Sequence, residues 1–205
     1  MKVLRNLYDW VLHWANTPYG PIALFLLAFA ESSFFPVPPD VLLIALILGS
    51  SRKAFRFALI CSIASIVGGI FGYFIGYRLW WAAPGVYSGV ANFFFDHVPG
   101  FSHELFNAVR VKYELYSFWI VFTAGFTPIP YKVITISAGA FNIDFPLFLL
   151  ASAVSRSARF FLVSLLLWKF GRPIKEFIDR YFNLLSLAFV ILLILGFVVV
   201  RYLLH

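Results

Sequence analysis

The sequence predicts an all-α polytopic membrane protein, built as an inverted repeat of a re-entrant helical hairpin followed by a transmembrane helix. Three observations predict it. Of the 205 residues, 62% are hydrophobic and only 12% are charged, where a soluble domain is about a quarter charged, so water is not the main solvent. Apolar runs at 57–81, 145–170 and 184–204 reach the roughly 20 residues that cross a bilayer, and a shorter run covers 22–30. One proline-broken pattern occurs twice within apolar sequence.

Taken in order, residues 1–19 place Leu4, Leu7, Val11 and Trp14 at helical spacing against Lys2, Arg5 and Asp9. That pattern predicts an amphipathic helix on the membrane surface. No small-residue cleavage site follows, so no signal peptide is expected. A membrane domain then spans 20–172, with hairpins at about 21–49 and 118–141 and spans at about 57–81 and 145–170. Residues 173–205 give a basic loop and a last transmembrane helix.

The hairpins rest on the repeated pattern. Pro36-Val37-Pro38-Pro39-Asp40-Val41 is matched by Pro128-Ile129-Pro130-Tyr131-Lys132-Val133, with Phe34 and Phe126 ahead of the two copies and Gly49 and Gly139 behind them. Proline removes a backbone donor and breaks a helix, so neither stretch is one straight span. Irregular backbone at membrane depth is tolerated where protein or a watery cavity covers it.

Charge sets the expected orientation. Lys2, Arg5, Arg52, Lys53 and Arg56 flank hairpin one and place both its ends in the cytoplasm, as do Lys169, Arg172, Lys175 and Arg180 for the loop after 145–170. The segment 82–117 mixes Asp96, Glu104 and Glu114 with Arg110 and Lys112, which suits the outside, while Arg78 and Arg201 run against the rule. The net charge of +7 reads as this bias plus attraction to anionic headgroups and not as a nucleic-acid surface. Cys61, the single cysteine, excludes an intramolecular disulfide and reads as a small packing residue.

Five ionisable side chains fall at membrane depth: Glu31, Asp40, Lys132, Arg156 and Arg159. Each costs at least ~2.5–3.5 kcal/mol facing lipid, so they must face one another, water or a ligand. Arg156 and Arg159 stand at i, i+3, with Ser152 and Ser155 extending the stripe, and their guanidinium forks suit carboxylate or phosphate. Two readings stay open: an internal network in which Glu31 and Asp40 neutralise the arginines, or a surplus cation that recruits an anionic substrate. Helix starts near Asp40 and Lys132 would add N–H groups for that anion. Equivalent positions in the two hairpins also predict that Asp40 and Lys132 meet near the midplane as part of a gate. Gly68, Gly72 and Gly76 form a small-residue stripe, continued by Ser65 and Cys61, and predict close approach of the second unit's helix.

These residues carry a resemblance. Glu31 ahead of Phe35-Pro36-Val37-Pro38, the segment Gly125-Phe126-Thr127-Pro128 running to Ser137-Ala138-Gly139, and Ser155-Arg156-Ser157-Ala158-Arg159-Phe160 together resemble the DedA family, which shares the VTT domain of eukaryotic lipid scramblases. The resemblance covers roughly residues 20–172. It implies paired re-entrant loops, a multi-pass place in the bacterial plasma membrane, and lipid transport. In some members the substrate is a phosphorylated polyprenyl carrier, with proton coupling. By position Glu31 and Asp40 look like the family's essential acidic pair. Many members read Arg-Phe-x-Pro-x-x-Arg in the second segment; this chain has Gly125 at the first arginine and Lys132 one place beyond the second, so Arg156 and Arg159 would supply the missing charge.

The function expected is movement of an anionic phosphorylated lipid between leaflets, with lipid headgroups and protons as partners and no nucleic acid, cofactor or metal. A proton-coupled exchanger of small ions or solutes built on Glu31 and Asp40 is the alternative. An intramembrane lipid phosphatase is the third reading, since Ser155-Arg156-Ser157 resembles a polyprenyl-pyrophosphatase signature, but Ala153-Val154 stand where Pro-Gly should precede it. His13, His97, His103 and His205 all fall outside the expected spans, and no His-Glu-x-x-His metal spacing occurs, so no enzymatic activity is expected.

Overall fold

The computed structural model describes residues 17–35, 38–99, 101–127, 130–171 and 173. The expected surface helix at 1–19, the C-terminal helix at 184–204, and Pro36 and Pro128 lie wholly or mainly outside the described residues. Among the described residues the fold is mostly helical. The sequence of helix, proline break, helix and long helix occurs twice.

In the first set, α1 (Gly20–Ser33) stops before the prolines and α2 (Asp40–Gly49) restarts directly after them, with Pro39 as the cap of α2. A short 3-10 turn (Ser51–Lys53) leads into α3 (Ala54–Trp80). After a linking segment, α6 (Ser117–Phe126) stops before the second break, α7 (Tyr131–Ala140) restarts after Pro130, and α8 (Phe145–Phe170) follows. Proline is tolerated at these starts because the first N–H groups of a helix have no intrahelical partner to lose.

Among the described residues two helices are long and apolar enough to cross a membrane: the 30-residue stretch Ser51–Trp80 and the 26-residue stretch Phe145–Phe170. At 1.5 Å per residue each is roughly 40 Å long, enough for the hydrocarbon layer. The second begins with Asp144 accepting from the Leu147 N–H at 2.8 Å and ends at Gly171, whose φ of +56° suits glycine.

These two helices run antiparallel. Phe55, at the start of α3, packs on Phe161 and Trp168 of late α8, whereas Tyr73, in late α3, packs on Phe145 and Phe148 of early α8. Two apolar cores result. The first joins Leu24, Leu43 and Ile47 of hairpin one to Phe57, Cys61, Phe160 and Leu167. The second joins Val121, Tyr131 and Ala138 of hairpin two to Tyr73, Phe148 and Ala151. Hairpin one therefore packs with early α3 and late α8, and hairpin two with late α3 and early α8.

The expected partner of the glycine stripe needs correction. A Cβ on Gly68 would strike the backbone of Phe29 in α1, one on Gly72 would strike Thr135 in α7, and one on Gly76 would strike the backbone of Ile136 in α7. The stripe seats the hairpin arms and not α8, because α1 and α7 both lie along the same side of α3. Gly139 completes the contact, since a Cβ there would strike the carbonyl of Tyr73.

The all-α expectation is also modified between the two sets. Trp81–Ala83 (β1) and Val86–Tyr87 (β2) form a small antiparallel hairpin turning at Gly85, whose φ is +78°. Two amphipathic helices follow, α4 (Gly89–His97) and α5 (His103–Leu115), each started by a serine whose hydroxyl accepts from a backbone N–H: Ser88 from Ala91 and Ser102 from Leu105.

Candidate functional site: two arginine–carboxylate bridges between the hairpin tips

Polar side chains collect in the layer between the two cores. Arg156, near the middle of α8, is 2% exposed. Its Nη2 donates to Glu31 Oε2 at 2.8 Å and its Nε donates to Ser65 Oγ at 2.5 Å. Ser65 also shares a 2.6 Å hydrogen bond with Ser32, and Ser32 donates to Glu31 Oε2 at 3.2 Å. The ring centroids of Tyr131 and Phe160 each lie 4.7 Å from the guanidinium carbon, so apolar faces cover the flat ion while its edge makes hydrogen bonds. Tyr131 is itself held by a 2.5 Å donation to Ser152. One arginine thereby ties together α1, α3, α7 and α8.

Arg159, one turn on, holds the second carboxylate. Its Nη2 donates to Asp40 Oδ2 at 2.8 Å, its Nε approaches Asp40 Oδ1 at 3.4 Å, and its Nη1 donates to the Thr127 carbonyl at 2.6 Å. Asp40 is the first residue after one break and Thr127 the last described before the other. A single guanidinium thus bridges both broken tips. Asp40 also sits in the first turn of α2, where a carboxylate complements the exposed N–H groups expected there for a bound anion.

Lys132 differs from both arginines. Its carbonyl accepts from Thr135 Oγ1 at 3.0 Å, but among the described residues its ammonium has no ion-pair partner. The expected pairing of Asp40 with Lys132 is therefore corrected: Asp40 directs both oxygens to Arg159, whose fork can meet two oxygens where an ammonium is a point charge. The charge count resolves accordingly. Glu31 and Asp40 neutralise the two arginines, and the surplus cation is Lys132.

Glu31, Asp40, Arg156 and Arg159 thus come together as the sequence leads one to expect, and Pro38, Pro39 and Pro130 flank them. Gly125 packs so closely on α8 that a Cβ would strike Ser155 and lie 3.5 Å from Arg156 Cδ. The sequence reading missed the Ser32–Ser65 hydroxyl pair, the Tyr131 and Phe160 platforms and the Thr127 carbonyl. Tyr131 had a signal, since a large aromatic takes the place of Pro39 in the matched segment. The Thr127 carbonyl had none, because every residue carries one.

Two relatives match over nearly the whole chain. An uncharacterized protein of Haemophilus influenzae is 32% identical over 201 residues, covering 98% of this chain and 100% of the relative. The uncharacterized HI0703 homolog of Histophilus somni is 35% identical over 205 residues, covering 95% of this chain and 100% of its own length. The chain belongs to the family of these two proteins. No family model and no solved structure matches it.

Proposed function

We propose that the protein is a multi-pass transporter of the bacterial plasma membrane that moves an anionic phosphorylated lipid between leaflets. The observation that carries the reading is the polar layer: the broken tips of two helix pairs, which pack against opposite ends of α3 and α8, are joined through Arg156 and Arg159, and Lys132 beside the second tip has no ion-pair partner among the described residues. Inverted pairs of broken helices that bind at the midplane are the recurring plan of secondary transporters. Buried cations in excess of carboxylates favour an anionic cargo, and the resemblance to the DedA family points to a lipid phosphate.

The pure protein in liposomes should make headgroup-labelled polyprenyl phosphate or phosphatidylglycerol accessible to an impermeant quencher from both leaflets. Vesicles with and without protein that quench alike for every phosphorylated lipid would overturn the reading. The inverted arrangement has its own test. Cysteines at Ser51→Cys and Ser102→Cys should label from opposite sides of the membrane, and labelling from one side would remove the second inverted unit.

A further inference from the structure

Helix α4 lies outside both hairpins and both spans, yet its exposed surface is sorted into two kinds. Ala91 is buried and Phe95 half-buried, and these form its seam with the rest of the protein. On one flank of that seam Asn92 and Asp96 face outward; on the other Val90, Phe93, Phe94 and His97 recur at i, i+3, i+4 and i+7, with Phe93 56% exposed. Water alone would not sort the exposed surface of a nine-residue helix in this way.

The apolar flank continues a larger surface. Along α3 the exposed side chains Val67, Phe71, Phe74 and Leu79 run toward its C-terminal end. There Trp80 packs on Phe94 and Phe95 of α4 at ring separations of 5.9 and 5.8 Å, which fixes α4 at the level where the long helix ends. Arg78, exposed in the last turn of α3, supplies a cation at the same level. Tryptophan, arginine and a short helix with one apolar flank at a span end are the features of the headgroup boundary.

We infer that α4 is an in-plane membrane helix, with Val90, Phe93 and Phe94 seated at the boundary between headgroups and acyl chains and with Asn92 and Asp96 turned to water. The inference rests on the protein lying in a bilayer and not on what it transports. Its occupant is the lipid of the leaflet at the Trp80 end of α3.

The full chain carries one native thiol, Cys61, which is fully buried, so single cysteines can be labelled on the surface. Phe93→Cys, Asp96→Cys and, on the outer face of α3, Phe71→Cys would each carry an environment-sensitive fluorophore in phosphatidylethanolamine–phosphatidylglycerol vesicles. At position 93 the emission should shift to the blue and lose intensity more to a lipid nitroxide placed near the headgroup than to a deep one, and iodide should have little effect. At position 96 iodide should quench and lipid nitroxides should not; at position 71 the deep nitroxide should dominate. Iodide quenching at 93 equal to that at 96 would overturn the inference. A blue shift at 93 that resists both nitroxides would overturn it in favour of a second copy or another protein. Failure of lipid quenching at 71 as well would overturn the bilayer reading itself, which separates the two failures.

Discussion

Arg156 and Arg159 stand one turn apart on α8, and each holds a carboxylate of the first hairpin, but the two bridges are built to different standards of enclosure. The Arg156 and Glu31 side chains are 3% and 13% exposed, against 17% and 20% for Arg159 and Asp40. The inner guanidinium packs against two aromatic rings, Tyr131 and Phe160, and is bonded at its edge to Glu31 and Ser65. Among the described residues no ring lies over the outer one, whose partners are the Asp40 carboxylate and the Thr127 carbonyl. Enclosure decides what each bridge can do. A charge almost wholly enclosed and packed against two rings is a fixed joint, whereas one that links two broken tips and remains partly open can exchange its carboxylate for another anion.

The largest effect should come from breaking the inner bridge. Arg156→Met leaves the Glu31 carboxylate buried without its cation, and breaking one side of a buried pair costs about 3–5 kcal/mol. Thermal unfolding in detergent should fall sharply, and transport should be lost with the fold. Arg156→Lys keeps the charge but not the Nε contact to Ser65, so it should recover only part of the stability. If both variants melt like wild type, the inner bridge is not the joint described.

A second test reaches the same bridge through its support. The Ser33 hydroxyl donates to the Gly68 carbonyl at 3.0 Å, and a Cβ at Gly68 would strike the Phe29 carbonyl two residues before Glu31. Gly68→Ala should therefore push α1 off α3 and draw Glu31 away from Arg156, at about 1–3 kcal/mol for overpacking. Gly49→Ala is the control, because nothing lies within 4 Å of a Cβ there. Equal melting of the two alanine variants would show that the close approach carries no weight.

How far the sequence could be read follows the same division. The breaks were legible because proline in an apolar run excludes a straight helix whatever surrounds it, and α8 was legible because the apolar run at 145–170 has spanning length. The four paired charges were legible as a group, since charge within an apolar run must find a partner. Their pairing was not. Spacing at i, i+3 puts both arginines on one face, but the depth at which each hairpin tip stops decides that Glu31 meets Arg156 and Asp40 meets Arg159. The glycine stripe likewise announced a close approach without naming α1 and α7 as the helices approached. The segment 82–117 read only as a loop, although Ser88 and Ser102 were available as helix caps.

The outer bridge should respond less in stability and more in function. Asp40→Asn retains shape and loses charge, and for a partly exposed pair the cost should be about 1 kcal/mol or less. Transport should fall by much more than that stability change would produce. The exchange Asp40→Arg with Arg159→Asp should restore part of it, whereas an exchange of Asp40 with Lys132 should restore none. Rescue by the Lys132 exchange would mean that the tips pair differently during transport.

The smallest structural effect should be at Lys132, and there the comparison is sharpest. Its ammonium has no ion-pair partner among the described residues and lies in a partly buried position on the first turn of α7. Lys132→Met of similar length removes an uncompensated charge and leaves no acid stranded, so stability should stay within about 0.5 kcal/mol or rise slightly. If the surplus cation recruits the anionic headgroup, transport in the reconstituted assay should nevertheless fall, and Lys132→Arg should retain it. Both bridges should remain intact, and unchanged melting of the single variant checks that. A methionine variant with wild-type melting and wild-type lipid movement would leave Lys132 outside the pathway and place the anion contact on Arg159 after release of Asp40. Loss of melting temperature in that variant would instead reveal a structural partner for Lys132 and remove the surplus charge on which the anionic cargo depends.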